Sequence, residues 1–322
     1  MKLSKVVGVL GVVLVLSGCS AGSSIMVSNE HQLEQWQAPL NRQAPALGNI
    51  WSYKDQRWLS PSELISAVSQ TEYLLLGEKH DNPDHHRIQW YLLNQLRQQN
   101  RLGSLTMEML NAYQQPAVDR ALELPSLTLE ELEQHMAWDQ VKGWPWDFYG
   151  PLMHLAIESG VPVRAGNLDR ERVMAIYGQQ PPYPERLTGQ VQADTQAALE
   201  KQIVASHCGH AEGDHLQAMV RIQQSRDQAM ATAMANQPRV SVLLAGAFHV
   251  RKDWGVPAYL WRNQPQAQLL SVAMVELSAA EDGSVAERVA EFRGVYDYLW
   301  FTAAMRRPDF CANWEQHSRG SE

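Results

Sequence analysis

Two short segments constrain the fold more than any other feature of the chain: LLLGEKH at 74–80 and LLAGAFH at 243–249. In each, a continuous aliphatic run ends in Gly-x-x-His. An apolar run without polar alternation fits a strand buried on both faces, the normal state of a parallel sheet covered by helices. The repetition is consistent with duplicated halves, each opening with such a strand. In open α/β sheets ligands bind outside the C-terminal ends of the strands. Glu78, His80 and His249 therefore stand where a site would form.

The rest of the chain alternates in the same sense. IWSYKDQRWLS reads as a short hairpin before Pro61, and PSELISAVSQ as a helix. Ile88, Leu92 and Leu96 lie four apart in HHRIQWYLLNQLRQQ, a helical spacing. SLTMEML and VPVRAGN read as strands, 114–136 as acidic helix, 214–236 as a long helix, and RVSVLLAGAFH and AQLLSVAMVEL as further strands. Strands alternating with helices predict an α/β fold with a mainly parallel sheet and helices on both faces.

The N-terminus carries an address. Lys2 and Lys5 precede an apolar run over 6–16, and Leu16-Ser17-Gly18-Cys19 resembles a bacterial lipobox. Residues 1–18 are expected to be a lipoprotein signal peptide, with Cys19 carrying the lipid (palmitate among its acyl chains). Ser20 after the cysteine favours the outer membrane of a Gram-negative bacterium. Residues 19–47, polar and rich in Gln, Pro and Ser, read as a lipid-anchored linker, and 48–318 as a single α/β domain. Loss of 1–18 leaves 25 basic against 35 acidic side chains, a net charge of −10. That argues against nucleic acid as a partner, since phosphate binding needs basic patches. Cys208 and Cys311 remain as a disulfide candidate pair. Their bridge would contribute roughly 4–5 kcal/mol through the entropy of a loop of about 100 residues.

Several residues stand out chemically. Asn82 and Pro83 read as N-cap and first residue of a helix. Asp84 then complements the helix dipole, and His85 and His86 fall at the third and fourth positions, where a positive helix end favours neutral rings. Glu108 follows a buried strand. On the helix 214–236, Leu216, Met219, Val220, Gln223, Met230 and Met234 mark one face. Asp227 lies within that face and needs a partner, with Arg226 at its margin. SHCGHAEGDH (206–215) has the composition of a metal site but no completed ligand spacing; a disulfide-pinned loop with Asp214 as helix cap fits it better. The aromatic run Trp138, Trp144, Trp146, Phe148 and Tyr149 predicts either a lid over the core or a wall for a flat apolar ligand, with the Tyr149 hydroxyl as its polar handle.

Taken together, GEKHDNPDHH, WDFYGPL, SHCGH, RIQQSRDQAMA, LLAGAFHVRKDWGVP and RPDFCANW resemble the ChaN-type iron-regulated haem-binding lipoproteins, over about residues 45–315. The resemblance implies an α/β fold and a role in haem or iron uptake at the outer membrane, as a haem-binding protein rather than an enzyme. It implies a homodimer with haem held as a cofacial pair, iron taken by a tyrosine, and hand-over to a receptor or periplasmic carrier. Tyrosine is a haem ligand of known type. Tyr149 is the first candidate, with Tyr113 and Tyr177 open. His85, His86 or His207 would contact iron or propionates, and Arg87, Arg164, Arg226 or Arg251 would pair with propionates. The wider superfamily, with Tiki-type metalloproteases and erythromycin esterases, implies an alternative. In that reading Glu78, His80, Glu108 and His249 form a hydrolytic centre, and Glu78, His80 and His249 ligate a divalent metal.

Overall fold

The computed structural model describes residues 25–308 apart from 125, 180–192 and 278–283, together with Cys311. The expected signal peptide, Cys19 and Ser20 lie outside the described residues. The chain opens with a one-turn helix α1 (Glu30–Leu33) and the antiparallel hairpin β1 (Ile50–Ser52) and β2 (Arg57–Leu59). Helix α2 (Pro61–Val68) starts at a capping box of Ser60 and Glu63.

Two similar halves follow. The first is β3 (Tyr73–Glu78), α3 (Pro83–Gln98), β4 (Ser104–Asn111), the helices α4 (Gln115–Glu123), α5 (Leu129–His135) and α6 (Trp146–Glu158), and β5 (Val163–Asn167). Helices α7 (Arg170–Tyr177), α8 (Ala193–Ser206) and α9 (Gly213–Met234) lead into the second half. This is β6 (Ser241–Gly246), α10 (Val256–Asn263), β7 (Leu269–Glu276), α11 (Val285–Glu291) and β8 (Tyr298–Thr302). Each half begins with a Gly-x-x-His strand. The expected helix over 114–136 divides into α4 and α5, because Leu124 is extended and Thr128 starts a new capping box.

The eight strands form one sheet in the order β2-β1-β8-β7-β3-β6-β4-β5. From β8 to β5 all pairs are parallel; the β1–β2 hairpin adds an antiparallel edge. Both central strands are buried along their whole length. Leu74, Leu76, Val242 and Leu244 pack against α2, α3 and α6 on one face. Tyr73, Leu75, Leu243 and Ala245 pack against α9 and α10 on the other. This two-sided burial is why the sequence shows unbroken aliphatic runs in place of alternation. The chain order reverses where β6 slots between β3 and β4, so the crevice opens at the ends of those strands.

The paired motif now has a steric reason. Gly77 lies beside Ala245, and Glu78 beside Gly246. A Cβ on Gly77 would stand 2.4 Å from Val250 Cγ2 and 2.9 Å from Ala247 Cα; one on Gly246 would stand 3.0 Å from His80 Nε2. Each glycine leaves room for the turn that follows the other strand.

The linker expected over 19–47 is corrected from Ile25 onward. Ile25, Val27 and Leu33 are buried in the core. The carboxylate of Asp84 accepts the backbone N–H groups of Gln37 and Ala38, and Arg87 donates to the carbonyls of Gln32 and Gln35. The arm is polar in composition, but its few aliphatics have a groove to fill and its backbone has buried partners. Cys208 and Cys311 are disulfide-bonded, with Cα atoms 5.3 Å apart. Because backbone must move to admit a methyl at Gly77, Gly77→Ala is expected to cost about 1–3 kcal/mol, read as a lower urea midpoint.

Candidate functional site

Five charged side chains converge at the C-terminal ends of β3, β6 and β4. Glu78 ends β3, Glu108 lies late in β4, His80 and His249 sit in the turns after β3 and β6, and Asp227 reaches in from α9. All but His80 are buried. His80 Nδ1 lies 2.8 Å from Glu78 Oε1, and its side chain keeps 41% exposure. The Tyr149 hydroxyl donates to Glu78 Oε1 over 2.7 Å, and His86 Nδ1 lies 3.1 Å from Glu78 Oε2. Glu108 Oε2 accepts the backbone N–H of Gly246 over 2.8 Å. His249 is held between two carboxylates, with Nδ1 2.5 Å from Asp227 Oδ1 and Nε2 3.4 Å from Glu108 Oε1.

Electrostatics follow from this packing. Burial opposes charge on His249, but the charges of Glu108 and Asp227 outweigh it and raise its pKa to about 10. Burial likewise opposes ionisation of Glu108, yet His249 draws it down to about 2. Asp227 is pushed up to about 6, chiefly by burial. Burial also works against Glu78, but His86 and His80 hold it far below the ordinary carboxylate range. His80 is raised despite burial, by the hydrogen bond and charge of Glu78. With its ring edge in solvent and a carboxylate behind it, His80 has the layout of an acid–base group.

The aromatic run covers this centre as a lid. Phe148 stacks on His86 with centroids 4.4 Å apart, Trp144 meets His80 edge-on at 4.8 Å, and Trp138 is buried in the core. The wall-and-handle expectation fails for Tyr149. Its hydroxyl is committed to Glu78, and burial, then the Glu78 charge, drives its pKa far above the ordinary phenol value. A haem-binding role is therefore corrected for Tyr149, since iron takes an accessible phenolate.

It is corrected for His85 and His86 too. His85 is fully buried; Nδ1 accepts the Lys79 N–H, and Nε2 faces Thr302 Oγ1 at 2.9 Å. Burial lowers its pKa to about 3, so the ring is neutral as expected but structural. His86 donates through Nε2 to the His80 carbonyl. Arg87 is spent on the N-terminal arm, Arg164 pairs with Asp119, and Arg251 pairs with Asp253 and lies 3.7 Å above the Trp254 ring. The metal set Glu78, His80 and His249 is brought together but not as ligands. His80 is turned to Glu78, and His249 points its two ring nitrogens at Asp227 and Glu108. Among the described residues, no group of three or more His, Cys, Asp or Glu is arranged to hold a metal ion.

Beside this centre lies an apolar groove of about 260 Å³ that the sequence did not reveal. Leu199 and Ile203 of α8, Met219 and Ile222 of α9, and Phe248 and Trp254 from the turn after β6 form its walls. Gln202, Gln223, His207 and Arg226 line it with polar groups, so His207 and Arg226 keep their candidacy. The Gln223 side-chain amide also lies 3.1 Å from His249 Nδ1, joining groove and centre. Val173 of α7 reaches the groove. One turn further on, Tyr177 is 43% exposed and its hydroxyl lies 2.9 Å from His215 Nδ1. His215 precedes Met219, Ile222 and Arg226 on α9 at helical spacing, so the Tyr177–His215 pair extends the line of the groove. Phe248 and Tyr113, at 45% and 64% exposure, are exposed aromatics that follow β6 and β4. Helix α8 was not foreseen, and Phe248 was visible only as part of GAFH.

This fold and strand-end cluster define an α/β protein built on paired Gly-x-x-His strands. The chain belongs to the family described as haem-binding uptake, Tiki superfamily, ChaN, whose model matches residues 64–260. Among solved structures it is similar to ChaN of Campylobacter jejuni, described with cofacial haem binding, at 24% identity and a TM-score of 0.66, over 78% of this chain and 95% of that one. An erythromycin esterase EreC mutant in its open conformation is 12% identical with a TM-score of 0.46, over 81% of this chain and 99% of that one. A comparison with curated proteins finds no match.

The charge on His249 makes stability pH-dependent. Its folded pKa of about 10 exceeds the ordinary 6.5, so its contribution is complete below 6.5 and lost as pH rises through 10. Asp227, raised from 3.8 to about 6, adds a smaller loss over that lower window. Thermal melts should therefore show Tm falling steadily above pH 6.5, with a flatter limb in His249→Gln. An unchanged wild-type Tm up to pH 10 would contradict the paired imidazolium.

Proposed function

We propose that this chain binds haem for uptake, in the groove between α7, α8 and α9, with Tyr177 as the iron ligand. The single observation that carries the reading is an apolar groove whose line ends at an exposed tyrosine beside an imidazole. Family membership gives the ligand class, and the residues fit it. The groove walls are aliphatic and aromatic, as a porphyrin face requires. Arg226 Nε and Trp254 Nε1 are buried donors without a hydrogen-bond partner among the described residues; with His207 they would meet propionate oxygens. Ferric iron favours a hard phenolate oxygen. Tyr113 lacks the adjacent imidazole.

At about 260 Å³ the groove is below the ~300–1,000 Å³ of sites that enclose drug-sized ligands. A porphyrin held there stays partly uncovered. A second copy of the chain, meeting the exposed Phe248, Met174 and Tyr177 surface, would cover it and bring two haems face to face. The Cys19 lipid anchors the protein to the outer membrane, where it hands haem to a receptor or periplasmic carrier.

Haemin titration of the purified protein should give a tyrosinate-type absorption spectrum. Tyr177→Phe should abolish it, whereas Tyr113→Phe and Tyr149→Phe should retain it. The Tyr149 variant should instead lose about 1–3 kcal/mol of stability, since Glu78 forfeits a buried donor. A wild-type spectrum in Tyr177→Phe would refute the assignment. For the anchor, Cys19→Ala should move the protein from the membrane pellet to the soluble fraction.

A further inference from the structure

We infer that His215 is a positioning residue for the iron ligand: its Nδ1 orients the Tyr177 hydroxyl and holds that oxygen in place when iron binds. The inference rests on the haem-binding reading and on one hydrogen bond that nothing in the family description assigns. Tyr177 Oη and His215 Nδ1 are 2.9 Å apart, and the rings meet edge-on with centroids 5.8 Å apart. The two residues come from different helices, α7 and α9, across the stretch that also carries α8. Chance neighbours on one helix would sit at fixed spacing; this pair is made by the packing of α7 on α9.

A tyrosine ligates iron as phenolate, its proton leaving to water as the Fe–O bond forms. His215 Nδ1 is placed to accept from the free hydroxyl, and with its ring proton on Nδ1 would donate to the bound oxygen. The same contact that orients the free hydroxyl would thus hold the bound one. Without it, Tyr177 rotates freely about its side-chain torsions. Charge-assisted hydrogen bonds of this type are worth about 1.5–3 kcal/mol, so their loss weakens retention at least tenfold.

The test uses the full-length protein loaded with haemin, reading the phenolate-to-iron charge-transfer band and the rate of haem transfer to apomyoglobin. His215→Ala should keep a tyrosinate spectrum with a shifted charge-transfer band, and release haem about tenfold faster or more. His215→Asn, whose amide can take the place of Nδ1, should restore both toward wild type. A His215→Ala protein with wild-type band and release rate overturns the inference and leaves the haem site standing. A Tyr177→Phe protein with the wild-type spectrum overturns the haem-site reading itself. Since His215 is exposed, neither of its substitutions removes a core side chain, and circular dichroism checks that the fold is retained.

Discussion

Two buried carboxylates, Glu78 on β3 and Glu108 on β4 with β6 between them, set the terms for everything at the open end of the sheet. An isolated buried carboxylate is too costly to keep charged. Here His80 and His86 answer Glu78, and His249 answers Glu108 while also answering Asp227. His249 reaches Glu108 because β6 and β4 are neighbours in parallel register, and Glu108 also accepts the Gly246 N–H at the end of β6. Moving that register by one residue would bury a carboxylate without its imidazole. The interlocked glycines fit β3 to β6 sterically, and the His249–Glu108 pair ties the end of β6 to β4 electrostatically.

From that centre outward, the structure divides its aromatic and cationic residues by task. Tyr149, Phe148 and Trp144 close over the buried cluster and serve it. Arg87 and Asp84 pin the N-terminal arm to the start of α3. The residues that remain available to a ligand lie on the opposite flank, along α7, α8 and α9. Gln223 touches both regions, lining the groove and reaching His249. The apolar groove and the polar centre are thus adjacent but chemically separate: one apolar, the other charged and largely sealed.

This separation explains which residues the sequence could rank and which it misranked. Glu78, His80, Glu108 and His249 were legible because each follows a recognisable buried strand, and strand ends in such sheets converge. Asp227 was legible as an anomaly, a carboxylate within an apolar helical face that demanded a partner. Tyr149 was misranked because density of aromatic residues does not reveal direction. Its ring points inward to a carboxylate seventy-one positions earlier in the chain, a contact with no local signal. His85 and His86 were misranked for the same reason. Helical position indicated that His85 would be neutral, but not that both rings would be buried.

The sequence by itself determined the layered α/β architecture, since short aliphatic runs ending in Gly-x-x-His alternate with segments of helical spacing. It also determined the start of α3, through Asn82 and Pro83, and left Cys208 and Cys311 as a candidate pair that the structure shows bonded. Tertiary structure alone decided that the supposed linker from Ile25 joins the core, that the clustered acids and imidazoles neutralise one another, and that Tyr177 meets His215. Those are outcomes of helices and strands packing at long range, where partners are chosen by geometry that no local pattern encodes.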